Sequence, residues 1–109
     1  MLPRALAQVR QNDVMTNNKK IIERQFEIRN KQGLHARPAA LFVQTANQYA
    51  AEIDVIKDDS TVNGKSIMGI MTLAAEAGST VTVRATGPDA GEALDAIQQL
   101  FESNFGEAE

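Results

Sequence analysis

Hydrophobic and polar positions alternate in several short stretches of this chain and recur at helical spacing in others. Ile22, Phe26 and Ile28 share one alternating phase, which predicts a first strand near residues 21–30. Ala39, Phe42, Val43 and Ala46 then follow the spacing of one helix face, predicting a helix to about Gln48. Ile53 and Val55 mark a second strand, Asp58-Asp59 reads as a hairpin turn, and Ser60–Asn63 as a short third strand. Ile67, Ile70, Met71 and Ala74 predict a short second helix, with Ser66 at its N-cap and Gly78 as its stop. Val81, Val83 and Ala85 alternate as a fourth strand, ended by Gly87-Pro88-Asp89. Asp89 with Glu92 has the form of a capping box, and Leu94, Ile97, Leu100 and Phe101 predict the longest helix, to about Asn104. The order β-α-β-β-α-β-α predicts an α+β fold. Its four-stranded antiparallel sheet carries three helices on one face and leaves the other wet, an open-faced β-sandwich.

Size supports a single domain of 109 residues, and 43% hydrophobic residues suffice for one modest core. With no cysteine, disulfides and thiolate metal sites are excluded. A net charge of −3 argues against general binding to nucleic acid or anionic membranes. No apolar run approaches a membrane span, and the first residues lack the apolar core of a signal peptide, so a cytoplasmic location is the default. Residues 1–20, with Pro3 and a polar Thr16–Lys20 stretch, read as a flexible N-terminal extension. The domain is expected over 21–105, with a tail at 106–109. Glu52, Asp54, Asp58 and Asp59 read as solvated acids of strands and turns; no metal site and no cofactor are expected.

The chemistry concentrates on the only histidine. His35 lies in Gln32-Gly33-Leu34-His35-Ala36-Arg37-Pro38-Ala39-Ala40. Pro38 suits the first turn of a helix, so His35 is expected at or just before a helix N-terminus, with Gly33 making the tight turn that presents it. Unpaired N–H groups and the positive end of the helix dipole favour anions there. An imidazole nitrogen is a competent nucleophile near neutral pH, so this placement suggests phosphoryl transfer. The N–H groups of Ala36 and Arg37 and the Arg37 guanidinium would hold the phosphoryl oxygens. A hydrogen bond to a charged group is worth about 1.5–3 kcal/mol. An exposed helix dipole is worth about 0.3–1 kcal/mol, so the direct donors should dominate.

A second motif, Asn63-Gly64-Lys65-Ser66-Ile67-Met68-Gly69-Ile70-Met71, follows about thirty residues later. The two motifs in this order and separation resemble HPr, the histidine-containing phosphocarrier family of the bacterial phosphoenolpyruvate-dependent phosphotransferase system, over residues 21–105. The resemblance implies the HPr type of open-faced sandwich. It also implies that His35 accepts a phosphoryl group on Nδ1 from phospho-Enzyme I, with assistance from Arg37, and passes it to an Enzyme IIA-type acceptor. Ser66 matches the regulatory serine phosphorylated by HPr kinase/phosphorylase in lineages that have that enzyme, and the kinase and a transcriptional regulator are further expected partners. Ile67, Met68 and Met71 are expected to form a docking patch rather than core. Some relatives lack the histidine and only regulate, whereas this chain keeps His35. Gln44, Asn47 and Gln48 are neutral where enteric members carry lysines on the first helix, so docking here should rely less on charge. The expected protein is a monomeric carrier, not a standalone turnover enzyme. A regulatory module acting through Ser66 and a nitrogen-branch paralogue are the alternatives, with an enzyme using His35 as general base a third.

Overall fold

The structure, a computed structural model, describes residues 13–16 and 19–107. Its elements run β1 (Asp13–Thr16), β2 (Lys19–Glu27), α1 (Ala36–Ala46), β3 (Glu52–Lys57), β4 (Ser60–Asn63), α2 (Ile67–Thr72), β5 (Thr80–Thr86) and α3 (Ala90–Glu102), closed by a 3-10 turn at Asn104–Gly106. Four of the strands, β2 to β5, form the antiparallel sheet expected from the hydrophobic pattern, and the β-α-β-β-α-β-α order over them is the expected one. The sheet order is β1-β2-β5-β3-β4, with β1 added on the outer side of β2.

Strand register explains the alternation. Phe26 pairs with Val81, and Val83 and Ala85 of β5 pair with Val55 and Ile53 of β3, so these side chains share the face that the helices cover. The next residues out of phase are polar: Arg84 pairs with Glu23 on one side and Asp54 on the other. On this open face its guanidinium lies 2.8 Å from Glu23 and 3.7 Å from Asp54. Opposite charges across neighbouring strands contribute a few tenths of a kcal/mol to about 1 kcal/mol each. Asp54 is thus engaged by arginine, and Asp58, at φ 53° in the β3–β4 turn, lies 3.5 Å from the Lys57 ammonium. Among the described residues no three acidic, histidine or cysteine side chains converge to hold a metal. No helix among them is long and apolar enough to cross a membrane.

The core gathers the four phenylalanines. Phe101 of α3 stacks on Phe26 of the sheet at 4.6 Å, meets Phe42 of α1 edge-on at 6.3 Å, and receives Phe105 at 5.0 Å. Phe105 reaches it because the chain after α3 passes through left-handed Asn104 and Phe105, φ 53° and 56°, and Gly106. Such conformations cost about 1–2 kcal/mol per non-glycine residue, and burying a phenylalanine returns a similar amount, about 1.5–3 kcal/mol.

Four details depart from the sequence expectations. The proposed boundary at residue 20 runs through a pairing: β1 lies within the expected extension and pairs with Lys19–Ile22. Residues 1–12, 17 and 18 of that extension, and Ala108 and Glu109 of the expected tail, lie outside the described residues. The second helix ends at Thr72, not at Gly78, because the chain must bend at Ala74, φ 50°, to bury Leu73 and Ala75 and to bring the Ala75 carbonyl under Leu34. The first helix stops at Ala46, where Asn47 folds its Nδ2 back onto the Val43 carbonyl at 2.9 Å. Finally, Asp89 is the N-cap of α3 by position but makes no side-chain cap bond. Its carboxylate instead accepts from the backbone N–H groups of Ala50 and Ala51, both at 2.9 Å.

Candidate functional site

The segment before α1 is shaped by a turn and a lacing. Gly33 N donates to the Asn30 carbonyl at 3.1 Å, closing the turn Asn30-Lys31-Gln32-Gly33, and the buried Asn30 Nδ2 donates to the Gly33 carbonyl at 2.9 Å. Asparagine at the first position and glycine at the fourth are favoured in such turns. Gly33 has φ 69°, and a Cβ there would stand 2.4 Å from the Ala75 carbonyl oxygen. Three backbone bonds tie this segment to the stretch after α2: Ile28 N to Ser79 O, Gly78 N to Ile28 O, and Leu34 N to Ala75 O, at 2.9, 2.7 and 2.9 Å. Leu34 is buried beside them. The chain thus enters α1 from a fixed base.

His35 is the N-cap of α1, extended at φ −113° and ψ −156°. Its ring is exposed and makes no capping bond. The first intrahelical bond runs from Ala39 N to His35 O at 2.8 Å. The amides of Ala36 and Arg37 precede it and have no intrahelical partner, while Pro38, buried in the first turn, has no N–H to leave unpaired. No acidic side chain occupies that first turn. Arg37 is exposed and forms no ion pair among the described residues. One imidazole, two free amides and one uncommitted guanidinium therefore meet solvent at a helix N-terminus, where backbone polarity favours an anion.

The second motif packs against the same helix in the opposite sense. Ser66 is the N-cap of α2, its Oγ accepting from Gly69 N at 3.1 Å. Ile70 and Leu73 turn inward, while Ile67, Met68 and Met71 are 44%, 74% and 42% exposed. Leu34 is bonded to Ala75 just past the end of α2, whereas Asn47, the C-cap of α1, places its Nδ2 3.5 Å from the carbonyl of Lys65, just before α2 begins. The two helices are therefore antiparallel. His35 and Ser66 sit at opposite ends of α1, whose eleven residues span about 16 Å. The exposed apolar strip runs between them, with Met71 toward the histidine end.

The Ser66 end is anchored by residues that motif reading passed over. Lys65 Nζ donates to the Tyr49 carbonyl at 2.7 Å, Lys65 N donates to Asn63 Oδ1 at 2.8 Å, and Asp89 holds the amides of Ala50 and Ala51. The Ala50 hydrogen bond, followed by that from Ala51, holds the Asp89 carboxyl below its ordinary range, against the opposing cost of desolvation. Gly64 is buried against Ile53, where a Cβ would lie 2.6 Å from the isoleucine side chain. The Asn-Gly-Lys run is thus a packing solution that delivers Ser66 to the helix start.

Residues 22–103 match the family model described as the PTS HPr component phosphorylation site. The chain belongs to the HPr family, phosphocarriers of the phosphotransferase system. It is 47% identical over 89 residues to the phosphocarrier protein HPr of Neisseria meningitidis serogroup A, covering 82% of this chain and all of that one. The HPr-like protein Crh of Halalkalibacterium halodurans is 50% identical over 82 residues, 75% of this chain and 98% of that protein. The crystal structure of HPr-C-His from Thermoanaerobacter tengcongensis superposes with a TM-score of 0.78 at 54% identity, covering 80% of this chain and 98% of that one. The open-faced sandwich expected from the two motifs is therefore the fold of this HPr-type chain.

Proposed function

We propose that this HPr-type protein carries its phosphoryl group on His35, taking it from phosphorylated Enzyme I and giving it to an Enzyme IIA-type acceptor. The observation that carries this reading is the exposed His35 ring beside the unpartnered amides of Ala36 and Arg37. An imidazole nitrogen, Nδ1 by family resemblance, forms the N–P bond as the bond from phosphorus to the donor breaks. The transferred group keeps its three oxygens, and the amides and Arg37 neutralise charge on them. The second transfer reverses these roles, with the His35 ring leaving. Because His35 only accepts and returns the group, the protein acts as a carrier between enzymes.

Docking would use the strip formed by Ile67, Met68 and Met71. Methionine adapts to different partner surfaces, which suits a carrier that must meet both donor and acceptor. The neighbouring Gln44, Asn47 and Gln48 are exposed and neutral, so apolar contact carries more of this recognition than charge does. Ser66, at the edge of the strip, is the regulatory position, phosphorylated by an HPr kinase/phosphorylase, with a transcriptional regulator as the partner that reads the modified state. Similarity to Crh, the catabolite repression HPr of Bacillus subtilis, supports keeping this regulatory role beside the carrier role. We assign the working form as a cytoplasmic monomer, although an HPr dimer is known from Thermoanaerobacter tengcongensis.

The test is incubation with labelled phosphoenolpyruvate and Enzyme I. The wild-type chain should take up one acid-labile phosphate, and His35→Ala none, with its melting curve unchanged because the ring is exposed. Full labelling of the alanine variant would remove the assignment.

A further inference from the structure

The sheet has an addition that the carrier chemistry does not use. β2 is nine residues long, and β5 takes one of its sides. On the other side β1 pairs antiparallel with its first four residues, Asp13 opposite Ile22 through Thr16 opposite Lys19. Only Asn17 and Asn18 separate the two strands in sequence. The matched family region begins at Ile22, after β1 and most of the β2 segment that it pairs. The Neisseria HPr is covered end to end by 82% of this chain, so a complete carrier domain exists without residues that this chain adds.

Without β1, the side of β2 turned away from β5 would present the unpaired backbone donors and acceptors of alternate residues along its nine-residue length, which is a template for another strand. Its own sequence suits a second copy of itself. Lys19 and Lys20 stand at one end and Glu27 at the other. An antiparallel pair of β2 strands centred on Glu23 sets Lys19 opposite Glu27 twice, and such a two-fold contact is self-complementary. The facing Glu23 pair is a single like-charge contact at the centre. β1 occupies the positions opposite Lys19–Ile22, which removes this full-length register.

We propose that β1 is an edge guard: it occupies the strand position on β2 that a second copy of this domain would take, and so holds the chain monomeric. The test is sedimentation equilibrium from about 10 μM to 1 mM, a range that spans weak dimers, on three proteins. These are the full chain, the full chain with Val14→Pro, and a chain beginning at Lys19. Proline cannot donate to the β1–β2 ladder, so Val14→Pro unseats the guard while keeping its residues. Thermal melting checks that each variant is folded, and the truncated chain decides the matter should the proline variant misfold. The expected result is a monomeric full chain and two variants that dimerise roughly tenfold or more tightly. Backbone amides of Lys19–Ile22 should also exchange with solvent faster in the monomeric fraction of the proline variant. Variants that stay monomeric to 1 mM, or a full chain that dimerises as tightly as they do, would overturn the proposal. Neither outcome touches the His35 assignment, which is read by phosphate uptake.

Discussion

Gly33→Ala should disable the site without altering any group that meets the phosphoryl. Two costs add. The first is conformational: Gly33 has φ 69°, a left-handed geometry that costs an L-residue about 1–2 kcal/mol. The second is steric. The new Cβ would lie 2.4 Å from the Ala75 carbonyl oxygen and 2.9 Å from the Glu76 Cα, both backbone atoms that no rotamer change can move. An ordinary contact needs the two segments to part by about 1 Å. That movement stretches the Leu34 N to Ala75 O bond from 2.9 Å toward breaking, and leaving a buried polar group unpaired costs about 1–3 kcal/mol. The expected loss is therefore about 2–5 kcal/mol, a large share of the 5–15 kcal/mol typical of a domain. Urea denaturation of the two proteins measures it. Phosphate uptake from Enzyme I, under conditions where the variant is folded, should be slowed as well, because His35 follows Leu34 and would shift relative to the first-turn amides. A loss under 1 kcal/mol with unchanged uptake would show that the two segments part freely, and the reasoning about a fixed base for His35 would fail.

Arg37→Ala should keep one phosphate per chain but slow its transfer by roughly tenfold or more, the effect of losing one charge-assisted bond of about 1.5–3 kcal/mol; stopped-flow transfer kinetics read it, and an unchanged rate would assign the oxygens to the backbone alone. Asp89→Asn tests the tie between α3 and the residues after α1. The folded-state pKa is lowered, so the ionised carboxylate adds stability above the unfolded value near 3.8, and that stability is lost as pH falls through the lower folded pKa. The variant should thus be less stable than wild type at neutral pH, with the gap closing below pH 3.8 in pH-resolved melting; a constant gap would remove the electrostatic account. Ser66→Asp should leave the melting temperature near wild type, since aspartate also caps helices, while weakening apparent affinity for Enzyme I more than the maximal transfer rate. The defect should shrink with added salt, and equal kinetics at low salt would leave Ser66 as a cap alone.

Much of the fold could be read in one dimension because it follows from local periodicity. The phases of Ile22 to Ile28 and Val81 to Ala85 are those of strands with one dry face, and the stripe Ala39, Phe42, Val43 and Ala46 is that of a helix with one. Proline after histidine placed the helix start correctly, because a missing N–H is tolerated only in the first turn. Ser66 as an N-cap was legible for the same local reason. What escaped depends on partners far along the chain. Asp89 looked like a capping residue, but Ala50 and Ala51, almost forty residues away, offer it two backbone donors. Asp-Val-Met-Thr is too short to show an alternating phase, and β1 exists through main-chain pairing with β2. Gly33 was read as a turn residue, whereas its lack of a side chain is also required by a carbonyl more than forty residues later.

The separation of His35 from Ser66 decides how a charge on the serine could act. The two motifs look like parts of one site in sequence, yet α1 and α2 are antiparallel and the helix between their anchored ends is about 16 Å long. Two phosphate-like charges of about −2 that far apart in water repel by about 1 kcal/mol, and a Debye length of about 8 Å at physiological salt cuts this to a few tenths of a kcal/mol or less. A modification at Ser66 therefore cannot impede phosphoryl transfer by direct repulsion at the imidazole. It can act where the charge is close, on whatever lies against Ile67 and Met68. α2 has only six residues, too few to be stable in isolation, and it is held by the Lys65–Tyr49 bond and the Asn47 contact before its start and by the Ala75–Leu34 bond past its end. The apolar strip is thus fixed in position relative to the histidine, with His35 at one end and Ser66 at the other. Under the proposed carrier function, a partner seated on the strip would meet both, so a charge at Ser66 is expected to change whether a donor docks while the geometry around His35 stays unaltered.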